Sequence, residues 1–207
     1  MTHGVHAVQH EVEHEIEHGG RSGGHNLLDS INKKVALLIG VMALFLAVSE
    51  TLGKSAQTGA ISYNIEAANL WSFFQAKNIR RTVVLTAAEE MAINAPAAPD
   101  VIKTSMTKQI ESWQKTAARY HSEPEVQEGT VQLAERAKVA EKKRDTALAR
   151  YHHFEMASAA IQIGIVLASA TIITGMIVLT WIAIGIGGIG ALFMAIGLFA
   201  PHAVHMF

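Results

Sequence analysis

The sequence predicts an all-α integral membrane protein, with three apolar helices and a long-helix, coiled-coil-like bundle domain between the first and second. Three observations carry this. No run of alternating β-branched residues bounded by turn signals occurs anywhere in the chain, so the period-2 signature of strands is missing. A heptad stripe of Val126, Thr130, Leu133, Ala137, Ala140, Arg144, Ala147, Tyr151 and Phe154 alternates spacings of four and three, the pattern of a narrow packing seam. From Met156 to the C-terminus there is no Asp, Glu, Lys or Arg. A helix that is apolar all round needs lipid or a large core, and 207 residues leave no room for the core.

Residues 1–26 form a His- and Glu-rich tail, with polar character extending to Lys33 and Lys34. Its start is acidic rather than basic followed by an apolar run, so it does not read as a secretory signal. His3, His6, His10, His14 and His18 recur every three or four residues and would line one face of a helix. Gly19-Gly20-Arg21-Ser22-Gly23-Gly24 then reads as a break and a flexible joint.

Residues 27–54 form the first membrane candidate. Its wholly apolar part, Val35 to Val48, is short of the roughly 20 residues a span needs. Extension through Ser49 to Leu52 brings it close.

Residues 55–155 make the bundle domain. Helix continues to residue 94, where Ala95-Pro96-Ala97-Ala98-Pro99-Asp100 stops it, since proline breaks the hydrogen-bond ladder. Asp100 is a candidate N-cap. The next helix shows a second seam of Ile102, Met106, Ile110, Trp113, Ala117 and Tyr120. Ser122-Glu123-Pro124-Glu125 reads as a turn, with Pro124 early in a long helix that runs to about Leu179. At about 1.5 Å per residue that helix would span ~80 Å. Residues 156–200 form a C-terminal membrane hairpin, with its turn expected in Thr180–Gly188 and its last span from Ile182 to Phe199. Residues 201–207 are a short tail.

Composition narrows the function classes. The chain has net charge −1 and lacks the basic footprint of nucleic-acid binding. With no cysteine, thiolate chemistry and disulfides are excluded. No Ser/His/Asp order, paired pocket carboxylates or phosphate loop stands out, so an enzyme is not expected. Ile184-Gly185-Ile186-Gly187-Gly188-Ile189-Gly190 only superficially resembles a dinucleotide loop, because it lacks a preceding strand and an acidic ribose partner. Ala183, Gly187, Ala191 and Ala195 instead form a small-residue stripe suited to close packing of membrane helices.

The stretch Ala67-Ala68-Asn69-Leu70-Trp71-Ser72-Phe73-Phe74-Gln75-Ala76-Lys77-Asn78-Ile79-Arg80 resembles the signature of a bacterial family, domain-of-unknown-function family 4337. The order of parts is also similar: an acidic tail, a first apolar segment, a helical middle and an apolar hairpin. The resemblance implies a multi-pass bacterial inner-membrane protein with no assigned activity.

Three constellations hold the chemistry the sequence offers. The histidine stripe can ligate zinc, nickel or copper through imidazoles one turn apart, or it is a solvated tail that captures such metals adventitiously; no resident cofactor is expected. Trp71, Phe74, Gln75, Lys77 and Arg80 either build a polar site, where Lys77 and Arg80 meet carboxylates or an anion, or serve as core and subunit interface. Glu50, His152, His153 and Glu155 lie at similar depth if their helices are antiparallel, as an interfacial ionisable cluster. The near-membrane cations Lys54, Lys142, Lys143, Arg144 and Arg150 exceed Arg21, Lys33 and Lys34 on the tail side, so the positive-inside tendency places the bundle in the cytoplasm. The expected role is a homo-oligomeric structural or accessory protein, in contact with membrane lipids and open to another membrane complex. The alternative is an oligomeric ion or metal channel or transporter.

Overall fold

A computed structural model describes the backbone from Gly4 to Ala203 and the side chains from Ile31 to Ala203. Among the described residues there are helices and turns and no strand. Helix α1 runs Gly4–Asn94, a 3-10 turn covers Ala95–Ala97, and α2 (Asp100–His121), α3 (Thr130–Thr174) and α4 (Ile177–Phe199) follow. The chain divides into two compact units: Met1–Lys54 with Ala149–Phe207, here the apolar unit, and Ser55–Leu148, the charged unit.

Helix α1 is assigned through Gly19–Gly24, where the sequence predicts a break. Beyond it no proline interrupts α1, and Gly40, Gly53 and Gly59 stand singly; each costs only about 1 kcal/mol of helix propensity. Pro96 and Pro99 end it. Asp100 is not the cap of α2: Pro99 holds that position, and no side chain caps the helix.

The charged unit is built on a seam that α1 carries at Ala56, Ala60, Tyr63, Ala67, Leu70, Phe74, Lys77, Arg81, Val84 and Ala88, all buried or half-buried. Their spacings alternate four and three, so one face of α1 stays turned inward from Ala56 to Ala88. Ala67 and Leu70 pack with Leu133, Ala137 and Ala140 of α3, flanked by Trp71 and Phe74. The alanines let the helices approach closely, and Leu133, fully buried, contributes about 1.5–3 kcal/mol of burial. Along α2 the predicted seam faces inward only in part. Ala117 is buried, Met106, Ile110, Trp113 and Tyr120 are half-buried, and Ile102 is exposed.

Helix α3 begins at Thr130, not near Pro124. Residues 124–127 form a turn, Gln127 takes a left-handed φ of 59°, and Val126 is exposed. The helix also stops earlier than Leu179. Gly175 adopts φ 70°, its N–H donates to the Thr171 carbonyl, and the Met176 N–H donates to Thr174 Oγ1. The hairpin turn therefore lies at Gly175–Met176, and the glycine-rich Ile184–Gly190 lies inside α4. Glycine at φ > 0 terminates a helix cheaply, while uncharged glycines in a helix serve close packing.

In the apolar unit, α3 buries Phe154, Ala157, Ile161, Gly164, Ala168 and Thr171, which continues the three-four spacing. Val35 of α1, Ala168 of α3 and Ala183 of α4 share one cluster. The small residues of α4 that face inward are Ala183, Gly190 and Gly197, seven residues apart. A Cβ on Gly190 would sit 2.7 Å from Ile161 Cγ1 and 2.9 Å from the Ala157 carbonyl. The predicted i+4 stripe therefore holds at Ala183 and at half-buried Gly187, then drifts away. Ala191 is half-buried and Ala195 is exposed, because an i+4 row winds around a helix axis whereas a three-four row stays nearly parallel to it.

Helices α1, α3 and α4 each contain a stretch long and apolar enough to cross a membrane, and most of each stretch is not buried against the rest of the chain. The remaining apolar surface points outward. Leu37, Leu44, Val166, Trp181 and Leu192 are all more than half exposed.

Candidate functional site

The charged unit holds its most developed polar site around Lys77. This lysine occupies a seam position of α1 and is 6% exposed, because the helix period that buries Leu70 and Phe74 brings it inward too. Its Nζ lies 3.0 Å from Glu123 Oε2 and 3.6 Å from Glu128 Oε2. The rings of Phe73 and Tyr120 sit 5.6 and 5.9 Å from the ammonium, within cation–π range. A buried cation needs such company, since an unpaired one would cost several kcal/mol.

Both carboxylates sit on the connection between α2 and α3, which its own side chains hold in shape. The Glu123 N–H donates to Gln132 Oε1 at 3.2 Å, and Gln132 Nε2 donates to Ser122 Oγ at 3.1 Å. Thr130 Oγ1 donates to the His121 carbonyl at 3.2 Å. Arg136 Nη1 donates to the Gln127 carbonyl at 3.2 Å. Gly129 permits the close crossing of this turn: a Cβ there would lie 2.5 Å from Glu123 N and 2.7 Å from Ser122 Cα, and would also meet Gln132 Oε1. The ammonium is thus fully engaged by two carboxylates and two rings, which is the chemistry of a strut. Of the residues singled out with it, Trp71 donates from Nε1 to Glu141 Oε1 at 2.9 Å and meets Phe74 edge-on at 5.4 Å. Gln75 and Arg80 are exposed and stand apart from the pairing. The acidic partners Glu123 and Glu128 are the residues sequence reasoning did not find, because nothing in their spacing ties them to Lys77, which precedes Glu123 by 46 residues and Glu128 by more.

In the apolar unit the four ionisable residues at the span ends do not form one cluster: His152 and Glu155 pair with each other, while Glu50 and His153 find other partners. Glu50 is exposed and its Oε1 accepts from Gln162 Nε2 at 3.3 Å. His152 Nδ1 lies 3.7 Å from Glu155 Oε2. Tyr151 donates to Glu155 Oε1 at 3.3 Å; the Glu155 charge, then burial, hold the phenol above its ordinary pKa of 10.0. His153 turns inward, 1% exposed, with its ring stacked 6.3 Å from Phe193. Its Nε2 is 3.1 Å from the Pro201 carbonyl. A carbonyl only accepts, so Nε2 carries the proton, and Nδ1 is left buried without a hydrogen-bond partner. Nearby, Ser49 Oγ donates to the Phe154 carbonyl at 3.0 Å. Among the described residues no three His, Asp or Glu side chains converge on a metal-sized site. His3, His6, His10, His14 and His18 lie outside the residues whose side chains are described.

No curated protein and no solved structure shows significant similarity to the chain. A family model, described as a domain of unknown function (DUF4337), matches residues 31–200. That match takes in the Ala67–Arg80 signature, all of α2, α3 and α4, and every polar contact of the Lys77 site, so the chain belongs to the DUF4337 family.

Proposed function

We propose that this chain is a multi-pass protein of the bacterial inner membrane. Its α1, α3 and α4 cross the bilayer, and its charged unit, in the cytoplasm, joins copies of itself into a coiled-coil-like, non-enzymatic scaffold. The observation that carries the reading is an apolar stripe on α1 opposite the seam. Ile61, Ile65, Ile79 and Val83, all more than half exposed, recur on one face by helical periodicity. Covering each would gain ~1 kcal/mol at about 25 cal/mol per Å², and a symmetric second copy offers the same stripe in return. For the bilayer, the support is the outward apolar surface of the three long helices, which water would not tolerate as a continuous belt.

Because the natural chain has no cysteine, single introduced thiols report without background. Ile65→Cys and Ile79→Cys should give bismaleimide-linked dimers in membranes, and Lys138→Cys should not. Native mass spectrometry should show a concentration-dependent oligomer that Ile65→Asp with Ile79→Asp disperses. A monodisperse monomer across the micromolar range would sink the scaffold. Protease added to spheroplasts should spare residues 55–155; cleavage there reverses the topology.

A channel or transporter is the second reading, favoured by one contact: the exposed Glu50 carboxylate at a span end, held by Gln162 of the apolar part of α3. Intramembrane carboxylates often mark ion paths. Ion flux into dye-loaded liposomes that disappears in Glu50→Ala would put this reading first.

A further inference from the structure

Helices α1 and α4 run side by side at the tail end of the apolar unit and leave a groove of about 270 Å³ between them. Its walls are Ile31 and Leu38 from α1 and Ile177 and Ile184 from α4, with Lys34 and Trp181 among the lining residues. Each wall covers seven residue steps, roughly 10 Å of helix. The lining is almost wholly apolar, with Lys34 contributing mainly its hydrocarbon stem, and Thr180 spends its hydroxyl on Thr171 Oγ1 at 3.1 Å.

We infer that this groove binds an anionic phospholipid, with acyl chain against the isoleucine walls and the headgroup phosphate at Lys34. The inference rests on the membrane reading above. Three features select that occupant over a neutral lipid or a protein helix. Lys34 is exposed, and its long stem can lie along apolar wall while the ammonium reaches the headgroup level. Helix α4 starts beside the groove with no side chain bonded from its N-cap residue; the Met176 and Leu179 N–H groups are taken by Thr174 Oγ1 and the Met176 carbonyl, so what the helix start offers the headgroup region is the positive end of its dipole. Trp181, 69% exposed, is an amphipathic ring of the kind enriched at membrane interfaces. A cation, a helix N-terminus and an aromatic along one groove complement a phosphodiester; a choline headgroup would bring a second positive charge to the same place.

The test uses the full chain in phosphatidylcholine bilayers doped with a few mole per cent of acyl-brominated phosphatidylglycerol or acyl-brominated phosphatidylcholine. Trp181 emission is taken as the difference between the natural protein and Trp181→Phe. Brominated phosphatidylglycerol should quench it several-fold more steeply than the choline lipid, and Lys34→Gln should remove that difference. Equal quenching by both lipids would overturn the site while leaving the membrane reading intact. Quenching by neither, in protein that resists alkaline carbonate extraction, means that no lipid chain occupies the groove, and the proposal is wrong. Release by carbonate would remove the membrane reading and the site with it.

Discussion

Replacing Lys77 tests whether the charge or its hydrocarbon stem holds the α2–α3 connection to α1. Lys77→Ala deletes three buried methylenes, worth ~0.8 kcal/mol each, and also removes the ammonium. Loss of one partner of a fully buried ion pair costs about 3–5 kcal/mol. Here the Glu123 and Glu128 side chains are 25% and 47% exposed and can rehydrate, so the electrostatic part falls to ~1–2 kcal/mol, above an exposed pair. Lys77→Ala should therefore destabilise the charged unit by ~3–4 kcal/mol. Lys77→Met, which refills the stem, should cost only ~1–2 kcal/mol by the same reasoning. Urea unfolding of the full chain in detergent micelles, followed by Trp71 and Trp113 fluorescence in a Trp181→Phe background, measures both. A double-mutant cycle of Lys77→Met with Glu123→Gln should return a coupling of ~1 kcal/mol. If Lys77→Met matches or exceeds the natural protein and the coupling vanishes, the pair is not a strut and the reasoning fails.

Three further outcomes follow from glycine geometry and from the single perturbed phenol. Gly129→Ala forces a Cβ against the Glu123 and Ser122 backbone and should cost about 1–3 kcal/mol in the same urea assay, whereas Gly59→Ala, which meets nothing within 4 Å, should gain ~0.5–1 kcal/mol. In α4, Gly190→Ala should lower the thermal midpoint in detergent and Gly188→Ala should not, since only Gly190 faces Ile161 and Ala157. Glu155→Gln removes the charge that raises the Tyr151 pKa, so tyrosinate absorbance at 295 nm from that residue should appear at lower pH; an unchanged titration would show that Glu155 is not the cause.

The sequence made the helical class plain because its two strongest signals, heptad spacing and charge-free length, arise from local repetition. The seam Thr130, Leu133, Ala137, Ala140 could be read directly, and those residues are buried. The matching seam of α1 was harder, although Ala60, Ala67, Leu70 and Ala88 keep the same period. Alanine is ambiguous between core and surface, and Lys77 and Arg81 occupy two of its positions. Helix ends were the weakest reading. Pro124 was compatible with a first helical turn, but Gln127 in the left-handed region and the crowding at Gly129 are tertiary facts that delay α3 to Thr130. Gly175, a lone glycine, outweighed the richer Gly185–Gly190 run as the hairpin turn because its φ, rather than local glycine density, ends the helix. The Lys77 site was half legible: the lysine stood out beside its aromatics, while Glu123 and Glu128 belong to it only through the fold.

The pairing of Ser49 with Phe154 sets a delay in the life of the chain. Those two residues are 105 positions apart, and Glu50 waits 112 positions for Gln162. At a synthesis rate of about 5–20 residues per second, the first apolar stretch of α1 exists for ~5–20 s before α3 can be made to meet it. During that interval Val35, Met42 and Ser49 have no partner helix, and the stretch must persist on its own apolar character. The later segments thus arrive after their partner has been made, and the order of translation becomes an order of assembly: first apolar stretch, then charged unit, closing hairpin last.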